Sequence, residues 1–217
     1  MFRLDENEIS FPDPEIYDGH EGVIALGGDL SIERIWFAYQ LGIFPWYNPG
    51  EEILWWCPDP RFVLFPGELK VSKSMRKILD RNVFTFSENQ NFREVIKNCQ
   101  EISRRGQDGT WLSDELMRTF IQLHEYGLAK SIEVWQDGVL VGGFYGLQIG
   151  KVFCGESMFA KVSNASKAGF IHFVETHRDS LEIIDCQSHT EHLESLGAQM
   201  IAKKEFLKIL HENNERR

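Results

Sequence analysis

Cysteine is scarce and scattered in this chain. Cys57, Cys99, Cys154 and Cys186 stand far apart with no C-x-x-C pair among them. That spacing excludes a zinc knuckle or a disulfide framework as the basis of the fold and leaves four reduced thiols as the plain expectation. Long apolar runs are missing too, since no stretch approaches the ~20 apolar residues of a membrane span. The start, Met1-Phe2-Arg3-Leu4-Asp5-Glu6, has neither the basic nor the apolar region of a secretion signal. A cytoplasmic protein without membrane contact is expected. Positive charge is in deficit, with 23 Lys and Arg against 33 Asp and Glu, a formal net charge of −10. This argues against broad nucleic-acid binding and favours a small, positively charged partner. Proline is absent after Pro66, so the rest of the chain is free to form long regular elements.

What is present divides into two parts. Pro12, Pro14, Pro45, Pro49, Pro58 and Pro60 crowd the first sixty residues, where one helix fits: Ser31 as N-cap, Ile32 to Leu41 as body, Gly42 as stop. Residues 1–62 therefore read as a small, loop-rich, aromatic N-terminal domain. Residues 63–217 read as an α+β domain with a mostly antiparallel sheet. Its predicted order is a helix near 72–81, a strand Val83 to Phe86, and helices at 91–104 and from Ser113 to Tyr126. A three-strand meander follows through residues 131–135, 139–147 and 151–158, turning first at Asp137-Gly138. A helix at 164–177, a strand around Ile183, a helix at 189–196, a last strand at 198–202 and a helix at 204–212 complete it.

Two strands carry unexpected polar groups. Leu181-Glu182-Ile183-Ile184-Asp185-Cys186-Gln187 ends an apolar run in a carboxylate and an amide, which at i and i+2 would share one face. Glu156 interrupts the apolar run of residues 152–159. Buried polar side chains are costly without partners, so the chemistry is expected here. Against the overall charge, Lys73, Arg76, Lys77 and Arg81 share one face of the helix near 72–81; a solvated face is the plainer reading and an anion contact the sharper one. Ser157, Asp185 and His189 or His192 stand in the order of a hydrolase triad, but Gly155-Glu156-Ser157-Met158-Phe159 lacks the second glycine of a nucleophile elbow. The H-x-x-H of His189 and His192 has no acidic or thiol partner at a usual metal spacing, so no metal is expected. Trp46, Tyr47, Trp55, Trp56 and Trp111 are most simply packing residues, with base stacking as the alternative.

The element order looks like the acyl-CoA N-acetyltransferase fold. The segment Phe159 to Lys167, however, has no glycine for a CoA cradle. More specific combinations run almost end to end: Ala25-Leu26-Gly27-Gly28-Asp29-Leu30-Ser31, Gly42-Ile43-Phe44-Pro45-Trp46, Pro58-Asp59-Pro60-Arg61, Gly109-Thr110-Trp111, Gly155-Glu156-Ser157-Met158-Phe159 and Ile184-Asp185-Cys186-Gln187. In these motifs the chain resembles the leucyl/phenylalanyl-tRNA–protein transferases. The resemblance implies a small N-terminal domain and an acetyltransferase-like catalytic domain. It also implies transfer of Leu or Phe, and Met, from aminoacyl-tRNA to an N-terminal Arg or Lys of a protein in the N-end rule pathway. No cofactor is implied, and a monomer is expected. By the same resemblance Asp185 and Gln187 hold the attacking amine, with Asp185 taking its proton through Gln187, and Glu156 offsets the acceptor's charge. Phe144, Met158, Phe173 and Ile184 surround the aminoacyl side chain, Trp111 meets the terminal adenosine, and Lys73, Arg76 and Lys77 meet acceptor-stem phosphates. An N-acyltransferase using an acyl-CoA donor is the rival reading.

Overall fold

Caps and prolines set the first layer. The structure, a computed structural model, describes residues 2–102 and 112–214. Strands β1 (Phe2–Leu4) and β2 (Val23–Gly27), helix α1 (Ile32–Gln40), and strands β3 (Phe44–Pro45) and β4 (Leu54–Trp56) come first. Their strands form a four-stranded sheet in the order β1-β2-β4-β3. The Ser31 hydroxyl accepts the Arg34 N–H and caps α1. Gly42, in the left-handed region at φ 75°, follows the helix and turns the chain into β3.

The larger body follows as β5 (Arg61–Leu64), α2 (Lys73–Asp80), β6 (Thr85–Glu88), α3 (Phe92–Glu101), α4 (Asp114–Glu125), β7 (Ala129–Gln136), β8 (Val139–Ile149), β9 (Val152–Ala160), α5 (Ala165–Thr176), β10 (Ile183–Gln187), α6 (Glu191–Glu194), β11 (Gln199–Ile201) and α7 (Lys203–Asn214). The seven strands form one sheet, ordered β11-β5-β10-β9-β8-β7-β6. All its pairs are antiparallel except β9 with β10, which is the α+β, mostly antiparallel architecture expected. The β7–β8 hairpin turns on Asp137 and Gly138 at φ 51° and 77°, the double positive φ that a two-residue hairpin loop demands.

Some boundaries differ from the sequence expectation. The strand expected at 83–86 lies at Thr85–Glu88, where pairing with β7 fixes it. The helix expected at 189–196 shortens to Glu191–Glu194 because Thr190, not His189, caps it by accepting the Leu193 N–H at 3.2 Å. Strand β5, which spans residue 62, pairs within the large sheet. Ile24, Ile35 and Trp55 of the first layer share one apolar cluster with Phe120, Tyr145 and Phe206 of the second.

The sheet separates two apolar clusters. Along β8, β9 and β10, Tyr145, Cys154 and Ile183 join the cluster shared by the first layer with α3, α4 and α7, while Phe144, Phe153 and Ile184 join the cluster that holds α5. That is the period-two alternation of strands.

Candidate active site

The site begins where two parallel strands stop pairing. β9 and β10 are matched at Ile183 with Val152, Ile184 with Phe153, and Asp185 with Cys154, and at no later position. Two bulges lie just past that point. In β9, Glu156 is the extra residue opposite β8, since Tyr145 pairs with Ser157 and Gly146 with Gly155. In β10, Cys186 is the extra residue opposite β5, since Asp185 pairs with Val63 and Gln187 with Phe62. Such insertions bend strands and re-aim side chains. The sharp β9 bulge is why residue 146 must be glycine: a Cβ there would run into the Cys154 carbonyl and the Phe153 ring.

The parted strands open onto a cavity of about 380 Å³. Its apolar wall is Phe144, Phe153, Met158, Phe170, Ile184 and Leu193, and its polar wall includes Glu156, Gln187 and Ser188. The expected aminoacyl residues Phe144, Met158 and Ile184 therefore line one space. Phe173 does not. It lies behind the wall, 1 % exposed, against Phe144 and Phe153 at ring-centroid distances of 5.4 and 4.7 Å. It holds those two rings in place.

The polar groups are wired differently from the i, i+2 expectation, because the bulge intervenes. Gln187, at φ 61°, turns its side-chain amide to Glu156 and donates to Oε1 at 2.8 Å. Asp185 is fully buried and faces Arg61, which donates from Nε to Oδ1 at 2.7 Å and from Nη2 to Oδ2 at 2.6 Å. Oδ1 also accepts the backbone N–H of Gln187 at 2.9 Å. The Gln187 side chain thus meets Glu156, while its backbone N–H meets Asp185 and both Asp185 oxygens are engaged by Arg61. Sequence reasoning passed over Arg61, although a lone arginine heading the apolar strand Arg61-Phe62-Val63-Leu64 was a readable signal.

These contacts set the electrostatics. Burial, together with the nearby Asp185 carboxylate, pushes Glu156 up to about 8, against smaller opposing effects of Tyr39, Gln187 and Arg61. The Tyr39 hydroxyl lies beside Glu156 without meeting hydrogen-bond geometry, and burial followed by the Glu156 charge drives its phenol well up. Burial works against the Arg61 charge, yet Asp185 holds the guanidinium above its ordinary value. Burial and then Asp185 raise the Cys154 and Cys186 thiols, which keeps both protonated. A carboxyl that titrates near neutrality beside an amide and an apolar cavity can exchange a proton with an amine and orient it.

The hydrolase triad does not assemble. Asp185 belongs to Arg61, and His189 Nε2 faces Glu194 at 3.1 Å. Among the described residues no group of three or more His, Cys, Asp or Glu could hold a metal ion, and no helix is long and apolar enough to cross a membrane. Lys73, Arg76 and Lys77 are exposed on α2, away from the cavity lining. Arg76 is tied to Glu175 of α5 at 2.7 Å. Trp111 lies outside the described residues.

Comparison with known proteins identifies the family. The model of the leucyl/phenylalanyl-tRNA protein transferase family matches residues 63–211, and that of its N-terminal domain matches residues 28–59. The chain belongs to this family. A leucyl/phenylalanyl-tRNA–protein transferase of Flavobacterium johnsoniae is 55 % identical over 94 % of this chain and 96 % of its own length. One of Christiangramia forsetii is 51 % identical over 97 % of this chain and 100 % of its own. Among solved structures, a GCN5-related N-acetyltransferase from Kribbella flavida aligns at a TM-score of 0.38 with 9 % identity, covering 77 % of this chain and 60 % of that one. The transferase family membership rests on the sequence relatives, and the α+β class rests on the sheet topology above.

Proposed function

We propose that this transferase moves Leu or Phe, and Met, from aminoacyl-tRNA to the N-terminal Arg or Lys of a protein, acting in the cytoplasm and marking the acceptor for N-end rule degradation. The observation that carries the reading is the parting of β9 and β10, which opens an apolar cavity beside Glu156 and Gln187. An unbranched-at-Cβ side chain enters the apolar wall of Phe144, Met158 and Ile184, and its ester carbonyl comes to rest at the polar side.

The acceptor nitrogen then attacks the carbonyl carbon, the C–N bond forms, and the ester C–O bond breaks. Protonated Glu156 gives its proton to the leaving ribose oxygen and recovers the one the nitrogen sheds, so the new amide keeps one hydrogen. Aminolysis of an activated ester needs orientation more than a strong base. An α-amino group has a pKa of ~7.7–8.0, close to that of Glu156 at about 8. A proton therefore passes between the two at little cost. Gln187 fixes the Glu156 oxygen that takes part. Asp185, fully engaged by Arg61, acts as a positioning group. Lys73 and Lys77 on exposed α2 contact acceptor-stem phosphates, which fix register without reading sequence.

The test uses labelled Leu-tRNA and Phe-tRNA with an acceptor protein bearing N-terminal Arg. Label should move to that protein and not to one beginning with Ala. No transfer from either charged tRNA, with acyl transfer from acetyl-CoA instead, would replace this reading with the CoA rival.

A further inference from the structure

Arg61 stands at the meeting of three parts of the chain. Its Nη1 donates to the Gly42 carbonyl at 3.1 Å, just after α1. Its guanidinium carbon lies 4.8 Å from the Phe44 ring centre in β3 and 4.5 Å from that of Phe206 in α7. Its Nε and Nη2 are the two prongs on Asp185. The whole side chain is 2 % exposed. Burying a guanidinium and a carboxylate costs several kcal/mol per ion, and a well-packed apolar pair often does as well for stability. Stability alone is therefore a weak reason for this ion pair.

Geometry supplies a better one. Gln187 is a non-glycine residue in the left-handed region at φ 61°, a conformation of order 1–3 kcal/mol above the ordinary ones unless its surroundings enforce it. The turn is closed by the Ser188 N–H on the Cys186 carbonyl at 2.7 Å and flanked by pairing of Gln187 with Phe62 of β5, and the contact that ties it to the polar group is the backbone N–H of Gln187 on Asp185 Oδ1 at 2.9 Å. Asp185 can offer that oxygen in a fixed place only because the planar Arg61 fork grips both of its oxygens. From the left-handed turn the Gln187 side chain reaches Glu156 at 2.8 Å.

We propose that Arg61 is a positioning residue of the transferase site: by clamping Asp185 it locks the Gln187 turn that holds Glu156, and it ties that lock to β3 and α7. The proposal rests on the transferase reading for its kinetic consequence but not for its structural one. Lysine at position 61 would keep the charge and lose the fork. The groups facing Glu156 include Tyr39 from α1, Arg61 from β5, Cys154 from β9, and Asp185 and Gln187 from β10. Arg61 offsets the Asp185 charge there, so loosening the clamp also moves the Glu156 titration upward.

Three readouts on Arg61→Lys test the clamp. The backbone amide proton of Gln187, followed by NMR, should move upfield as its bond to the carboxylate loosens. The kcat for label transfer should fall about tenfold or more, while KM for Leu-tRNA stays within about twofold, which is the mark of an interaction made in the transition state. The pH at which transfer is half-maximal on its acid side should rise. A folded Arg61→Lys protein with an unmoved Gln187 resonance and the wild-type kcat would overturn the proposal. If Arg61→Lys does not fold, the paired variant Arg61→Met with Asp185→Asn buries no charge and is read by kcat and KM alone. A wild-type kcat in that pair would equally overturn the proposal. Absence of transfer by the wild type would count against the transferase reading, while the Gln187 resonance would still report on the clamp.

Discussion

Glu156 owes its raised pKa to removal from water and to the neighbouring Asp185, and this has a consequence for stability. Its folded value, about 8, lies above the ordinary 4.5. Its contribution to stability is therefore full below pH 4.5 and is lost as pH rises to 8. Glu156→Gln should melt close to the wild type at pH 5 and above it at pH 9. A gap of ~2–4 °C is expected for each kcal/mol relieved in a chain of this size, and scanning calorimetry at the two pH values measures it. A gap that does not widen with pH would contradict the assignment. Asp185 calls for the opposite caution. Asp185→Ala leaves the buried Arg61 charge unpaired, so a loss of ~3–5 kcal/mol is expected in urea unfolding. Lost transfer in that variant therefore says little about a base. Restored stability in the Arg61→Met, Asp185→Asn pair would show that the unpaired charge was the cause.

At the scale of elements, the site is made by two bulges, one in β9 and one in β10. Gly146→Ala should cost ~1–3 kcal/mol by overpacking against the bulged strand, read as a lower urea midpoint. An unchanged midpoint would mean that the β9 bulge is not fixed by that close approach. The elements themselves were legible in the sequence wherever a local signal exists: Ser31 and Ser113 as caps, Asp137-Gly138 as a hairpin turn, and the meander that became β7 to β9. The bulges were not, because an inserted residue leaves the apolar pattern almost intact while reversing the faces beyond it. Glu156, Gln187 and Asp185 were thus found as a group, but their wiring was not. The Arg61–Asp185 pair spans 124 residues, a distance at which no periodicity speaks. Tyr39 lies within the body of α1, and its hydroxyl meets the Glu156 environment only once α1 docks on the sheet.

For the molecule as a whole, a net charge of −10 and an RNA substrate are reconciled by place rather than by total. Fields fade within a Debye length of ~8 Å at physiological salt, so exposed Lys73 and Lys77 on α2 can act locally. Changing both to Ala should weaken binding of Leu-tRNA and Phe-tRNA alike, and should flatten the dependence of log affinity on log salt by about one per lysine. A loss confined to one of the two tRNAs would place these residues elsewhere in recognition. The shared apolar cluster and the Arg61 contacts to β3 and α7 make the first layer a support of the site. The sequence division at residue 62 followed composition, which changes near there, while the sheet begins at Arg61.

One proton shared between Glu156 and the acceptor amine is at the centre of the proposed transfer, and a pH profile tests it most directly. Transfer to an N-terminal Arg acceptor would be followed as kcat/KM from pH 6 to 10, for the wild type and Glu156→Gln. With Glu156 at about 8 and the amine at ~7.7–8.0, the productive pair carries one proton. The wild-type profile should therefore peak near pH 8 and fall on both sides. Glu156→Gln should be slower at that optimum and should lose the alkaline fall, keeping only the rise to a plateau set by the neutral amine. The same bell-shaped profile in both proteins would contradict the account.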